Sequence, residues 1–244
     1  MTLIELIGVE GLPEVRPGDD LAALVSARAT LRDGDVLVVA QKIVSKAEGR
    51  LREIESITAS DEAKRIAPRL IAAPDPRMVQ AVLDESVRVL RSDRVLITET
   101  RHGFVAANSG VDHSNVGAGT LALLPVDPDA SARRLRDDLI ERTGARVGVI
   151  VSDTFGRPWR LGIVNVALGV AGLPAVLDLR GTVDDAGQPL HATVLAVADE
   201  IAASAGLVMG KTGRTPVVIV RGLQLEGSGS GRDLVRPEGE DLFR

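Results

Sequence analysis

The chain contains no cysteine. That excludes disulfide cross-links, thiolate nucleophiles and Cys-ligated zinc or iron–sulfur centres, and it fits a reducing cytosol. Aromatic residues are nearly as scarce, with three Phe and one Trp in 244 residues. The core must therefore be assembled from Ala, Val, Leu and Ile. No apolar run is long enough to cross a bilayer. The opening Met1-Thr2-Leu3-Ile4-Glu5 has neither the basic nor the apolar region of a signal peptide. No long basic run stands out and the formal net charge is −5 at pH 7, which argues against a phosphate track for nucleic acid. No Ser/His/Asp order with a nucleophile-elbow glycine pattern occurs, so hydrolase triad chemistry lacks support. What remains is ordinary for a globular protein: 45% hydrophobic and 26% charged residues, in one large domain or two interlocked ones.

Hydrophobic periodicity predicts strands over Met1 to Val9, Val36 to Ala40, Val147 to Val151, Ala175 to Leu179, His191 to Ala196 and Pro216 to Val220. Arg94 to Thr98 and Gly103 to Ala107 read as a hairpin turning at Arg101-His102-Gly103. Helices are expected from Asp19 or Asp20 to Ala29, from Ser60 to Ile71, from Pro76 to Leu90, from Ala130 to Thr143 and from Ala198 to Ala205. Ile163 to Val170 is apolar but interrupted by Asn165. From about residue 226 the tail is Gly, Ser and charge and reads as mobile. The alternation is too irregular for a regular Rossmann sheet. The fold class is α+β: mixed sheets with flanking helices in two interlocked subdomains.

Two short segments about forty residues apart carry the chemistry. They are Asn108-Ser109-Gly110-Val111-Asp112-His113-Ser114-Asn115 and Ser152-Asp153-Thr154-Phe155-Gly156-Arg157-Pro158-Trp159-Arg160. Each sets an aspartate among small hydroxyl or amide side chains, the second where the strand Val147 to Val151 should end. Such carboxylates suit a hard divalent cation bridging phosphate, and the following arginines suit the phosphate itself. One such aspartate alone would be a turn or cap residue; two similar clusters favour metal or phosphate. Phe104, Phe155 and Trp159 lie in or beside the same segments, so the scarce rings are not spent mainly on the core. Lys42 and Lys46 just past a strand end serve either phosphate or a solvated turn. His113 reads as a hydrogen-bonded loop residue, and His102 and His191 as turn or surface residues. Ala205 to Thr212 matches a loose Walker A pattern, but a helix precedes it and a strand follows, the reverse of a P-loop. It reads as a helix C-cap at Gly210 or Gly213, or as a glycine loop touching a nucleotide in another geometry.

Taken together, Gly11-Leu12-Pro13-Glu14, Gln41 to Gly49, Gly110 to Val116, Ser152 to Arg160 and Val208-Met209-Gly210-Lys211 resemble the coenzyme F420:L-glutamate ligase family, the gamma-glutamyl ligases of the deazaflavin coenzyme. The resemblance runs in order from about residue 3 to residue 223. It implies one ligase domain over 1–244, without the C-terminal nitroreductase-like domain of some relatives. It also implies a cytoplasmic homodimer acting on small molecules, namely F420-0, L-glutamate and GTP, with Mg2+ or Mn2+ and often K+. By resemblance, Leu12, Pro13, Glu14, Val15, Gln41, Lys46, Asn115, Met209, Gly210 and Lys211 bind the nucleotide. Asp112, Asp153 and Thr154 hold metal, and Lys46 and Arg157 neutralise the transferred phosphate. Trp159 or Phe155 would stack on the deazaflavin or pack in the core. Two other classes stay open: a nucleotide phosphotransferase on another small carboxylate, and a non-catalytic binding subunit.

Overall fold

The computed structural model describes residues 3–211, 213–225 and 227–241. In chain order the elements are β1 (Glu5–Gly8), α1 (Leu21–Ser26), β2 (Val36–Ala40), α2 (Gln41–Ala47), β3 (Leu51–Glu53), α3 (Asp61–Ile66), α4 (Pro76–Asp84), β4 (Ser86–Asp93), β5 (Val95–Thr100) and β6 (Val105–Ala107). There follow β7 (Thr120–Ala122), α5 (Pro128–Thr143), β8 (Gly148–Arg157), β9 (Arg160–Ala171), β10 (Leu177–Asp178), β11 (Val194–Leu195), α6 (Val197–Met209) and β12 (Val217–Arg221). Mixed sheets and flanking helices make the class α+β, as expected.

A central five-stranded sheet runs in the order β1-β12-β2-β8-β9. Only β2 and β8 are parallel; the other neighbours are antiparallel. β2 is apolar at every position because both faces of the sheet are covered. Leu37 and Val39 pack with Ala132, Leu135 and Leu139 of α5, and Val36 and Val38 with Ala198, Ile201 and Ala205 of α6. Alternation along the strand sends each pair to its own face. Helix α5 begins as its sequence dictates. Pro128 stands in the first turn, the Asp127 carboxylate accepts from the Ala130 amide, and Gly144 ends the helix at φ 73°.

A second packing unit sits beside this sheet. The antiparallel β4-β5-β6 sheet and helices α3 and α4 enclose Ala63, Ile66, Val79, Val82 and Leu96. A small cluster of Phe104, Leu124 and Leu168, with Phe155 against it, joins this unit to β9. Phe104 is thus a core residue at the seam, with Phe155 half-buried against it.

Several element bounds depart from the sequence reading. The helix expected over Pro76 to Leu90 stops at Asp84, and Ser86–Asp93 is a strand paired with β5. Ser60 to Ile71 is split into α3 and a 3-10 turn at Ala67–Arg69. The strand expected to end at Val151 continues to Arg157, because β9 pairs with it along that length. Lys42 and Lys46 lie on helix α2, not in a turn.

The tail expected to be mobile is packed where it is described. The Asp129 carboxylate accepts from the Val170 amide at 2.8 Å and the Gly231 amide at 2.7 Å. A Cβ on Gly231 would stand 2.0 Å from the Leu168 carbonyl oxygen. The Gly/Ser composition here serves close backbone approach. Glu226 lies outside the described residues.

Candidate active site

The site forms where the parallel strands β2 and β8 end side by side. Ala40 pairs with Ser152 in register, so α2 and the Asp153 segment emerge as neighbours. Asp112 is brought to them by a separate device. Its backbone makes a two-way bridge to Ala122, with Asp112 N–H donating at 3.0 Å and Ala122 N–H at 2.7 Å. Ahead of it, Asn108, Ser109 and Gly110 have φ of 55°, 50° and 69°. Two consecutive non-glycine residues in the left-handed region are costly and persist only when the surroundings hold them. Here the buried Ser109 hydroxyl lies 2.6 Å from that of Thr98 and 2.7 Å from that of Ser86.

Lys42 reaches from the first turn of α2 into the Asp112 loop. Its ammonium donates to Asp112 Oδ2, to the Ser114 carbonyl and to Ser114 Oγ, each at 2.7 Å. Burial works to raise the Asp112 carboxyl, but Lys42 and the Ser114 amide outweigh it and hold it below the usual carboxylate range. Asp153 behaves oppositely. Burial pushes it up to about 6, the Asp112 charge adds to the rise, and the Thr154 amide, Lys211 and Lys42 only partly oppose it. Two carboxylates that repel one another and draw in two ammoniums form a site short of positive charge.

Thr154 faces its cross-strand partner Asn165, and its hydroxyl donates to Asn165 Oδ1 at 3.3 Å. Asn165 Nδ2 in turn points to Met209 Sδ at 3.4 Å. Lys211, just past the end of α6, donates to the Thr154 hydroxyl. Gly206 leaves room for this amide, since a Cβ there would meet Asn165 Cγ at 3.2 Å. The interruption of an apolar run by Asn165 was the sequence signal for this network; its partners were not readable locally.

The remaining expected residues divide into near and far. Lys46, buried on α2, pairs with the exposed carboxylate of Glu14, which sets the Leu12 to Val15 turn against that helix. Gln41 is buried and accepts from Ser45 Oγ at 2.8 Å. Asn115 is exposed on the Asp112 loop at φ 55°. Gly210 ends α6 at φ 56°, ψ −160°, a conformation essentially reserved for glycine; it fulfils the C-cap reading. Thr212 lies outside the described residues. Arg157 is not brought to the carboxylates. It stands four residues beyond Asp153, roughly 13 Å along the strand, and donates to the Leu161 carbonyl at 2.7 Å. The extension of β8 carries it outward.

The donor set fits a hard divalent ion that shares its shell with phosphate. Among the described residues no three His, Cys, Asp or Glu gather into a metal cluster. Two carboxylates and a hydroxyl are what the protein offers, and a magnesium-type ion held by one or two carboxylates completes its shell from phosphate oxygens and water. Ammonium groups already seated on Asp112 and Thr154 show that these oxygens accept cations.

A profile of the F420-0:Gamma-glutamyl ligase family matches residues 11–222. The chain belongs to that family. As a member of it, the chain is an amide-bond-forming ligase. Relatives similar over nearly their whole length include the coenzyme F420:L-glutamate ligases of Archaeoglobus fulgidus, 48% identical over 242 residues, and Methanothermobacter thermautotrophicus, 47% over 251. A third, from Methanocaldococcus jannaschii, is 44% identical over 246 residues. Each alignment covers 99% of this chain, and 96%, 99% and 97% of the respective relative. Among the described residues no helix of this F420-0:gamma-glutamyl ligase family member is long and apolar enough to cross a membrane.

Proposed function

We propose that this ligase adds L-glutamate to coenzyme F420-0 in the cytoplasm, uses GTP to do so, and extends the product with further gamma-linked glutamates. The relatives named above act on coenzyme F420 and L-glutamate by their names. The observation that supports nucleotide-driven chemistry is the convergence of Asp112, Asp153, Thr154, Lys42 and Lys211 at one end of the β2–β8 pair.

A carboxylate does not acylate an amine in water unaided. Transfer of the GTP γ-phosphoryl group to the terminal carboxylate of F420-0 makes an acyl phosphate; the glutamate amine then attacks it and phosphate leaves. Mg2+ or Mn2+ held by Asp112, Asp153 and Thr154 would neutralise the charge that spreads over the transferred group. The chain's own residues bind and orient. Lys42 and Lys46 lie four apart on α2 and so share a face. Lys46, with Glu14, Gln41 and the Leu12 to Val15 turn, forms the nucleotide side. Asn115, Gly210 and Lys211 close it from the opposite loops, backed by Met209, which is buried at the end of α6. Arg157, at the hairpin tip and bonded to the Leu161 carbonyl, has no part in this mechanism. Two copies would meet through that hairpin, where Trp159 and Leu161 are 87% and 96% exposed.

Mass spectrometry of purified protein with F420-0, L-glutamate, GTP and Mn2+ tests the reading. Successive glutamyl increments only with GTP and metal together are expected. GTP turnover independent of glutamate would favour a phosphotransferase, and binding without turnover a non-catalytic subunit. Asp153→Asn is expected to lose nearly all turnover with its circular dichroism unchanged. Activity within a fewfold of the parent would remove Asp153 from the metal site.

A further inference from the structure

The two ammoniums at the site are held differently. Lys42 has all three of its protons engaged, by Asp112 Oδ2, the Ser114 carbonyl and Ser114 Oγ. It issues from a helix and fixes the Asp112 loop in place. Lys211 makes one hydrogen bond among the described residues, to the Thr154 hydroxyl. It is exposed and follows Gly210, whose backbone lies where glycine alone is at ease. Thr154 Oγ1 itself gives its proton to Asn165, so its lone pairs face the cation. The position is therefore built to accept positive charge, and the lysine filling it is exposed, one residue past the end of the helix.

We propose that Lys211 is a tethered, exchangeable cation that competes with divalent metal for the Thr154 hydroxyl, and so sets the metal affinity of the site. The inference rests on the metal reading given above. An ammonium and a divalent ion cannot share one hydroxyl oxygen at close range, because both approach the same lone pairs and repel each other. Metal must displace Lys211, and the displaced ammonium is then free for phosphate oxygens. Lys42 is unsuited to this exchange, since moving it would break three bonds and release the Asp112 loop. The Lys211 charge acting on Asp153 accords with this placement.

The experiment is Mn2+ binding to the nucleotide-free protein, read by electron paramagnetic resonance of free Mn2+, with no turnover involved. Lys211→Met is expected to tighten Mn2+ binding roughly tenfold, the scale of removing one charge near a partly shielded ion. Lys211→Arg keeps the charge and should stay near the parent. Lys64→Met removes the same charge from α3, where Lys64 pairs with Asp61, and should change nothing. Binding by Lys211→Met no tighter than by the parent, with the parent binding Mn2+, overturns the exchange proposal alone. Equal tightening in Lys64→Met overturns it too, because net charge would then explain the effect. No Mn2+ binding by any of the four proteins overturns both the exchange and the metal reading beneath it.

Discussion

Ser109 shows how much of the site depends on one side chain that touches none of the reacting groups. Its hydroxyl ties Thr98 and Ser86 together beneath a backbone turn in the left-handed region, and Asp112 follows three residues later. Glycine would relax the turn but remove the anchor; alanine would keep the strain and lose the anchor. Ser109→Ala is expected to cost about 1–3 kcal/mol, since the buried Thr98 hydroxyl and the half-buried Ser86 hydroxyl both lose a partner. It should also weaken Mn2+ binding, because the Asp112 carboxylate is no longer held. Urea unfolding and Mn2+ titration of the same preparation check both halves. A variant with parent-like metal affinity would confine Ser109 to stability. Gly110 belongs to the same turn, and a Cβ there would lie 2.7 Å from Leu124 Cδ2.

Among elements, α5 does more than cover the sheet. Its first turn places Asp129 so that one carboxylate oxygen holds the β9 amide of Val170 and the Gly231 amide of the C-terminal segment. Asp129→Ala leaves two buried amides without an acceptor and is expected to destabilise by about 2–4 kcal/mol. Thermal unfolding measures the loss, and protection of residues 227–241 from hydrogen exchange should fall with it. Elements with a clean period were legible in the sequence: β2 and β12 as apolar runs, and α5 over Ala130 to Thr143, although its first turn at Pro128 and Asp129 was missed. β4 was not, because Val82, Leu83, Val87 and Leu90 continue a helix-like spacing past the true end of α4. Its pairing with β5 is a tertiary fact. The Gly/Ser tail misled for a similar reason, since glycine marks close approach as readily as freedom. The residues that gather at the end of β2 and β8 were singled out by type, among them both aspartates and Thr154. Asn165 as Thr154's partner, and Arg157's distance, follow from the length of β8 and needed the hairpin itself.

At the scale of the molecule, the β8–β9 hairpin outruns the sheet that holds its base. Leu161 and Ile163 are exposed on it, along with Trp159, an arrangement costly for a lone subunit. Leu161→Glu is expected to shift the protein from dimer to monomer by light scattering, with the secondary structure kept. A parent that is monomeric at micromolar concentration would end the dimer reading.

The strand order β1-β12-β2 has a consequence for biosynthesis. The first two strands leave the ribosome early, yet they do not touch; the place between them is filled by residues 217–221. Until that segment emerges, β1 has no neighbour; β2 has none either until β8 is made, and keeps one bare edge from then on. Closing a sheet with so distant a strand is slow, and an open edge invites pairing with other chains. The nascent protein thus keeps an unpaired sheet edge until its last strand is translated, and a ribosome stalled before Val217 holds a chain whose central sheet is still unfinished.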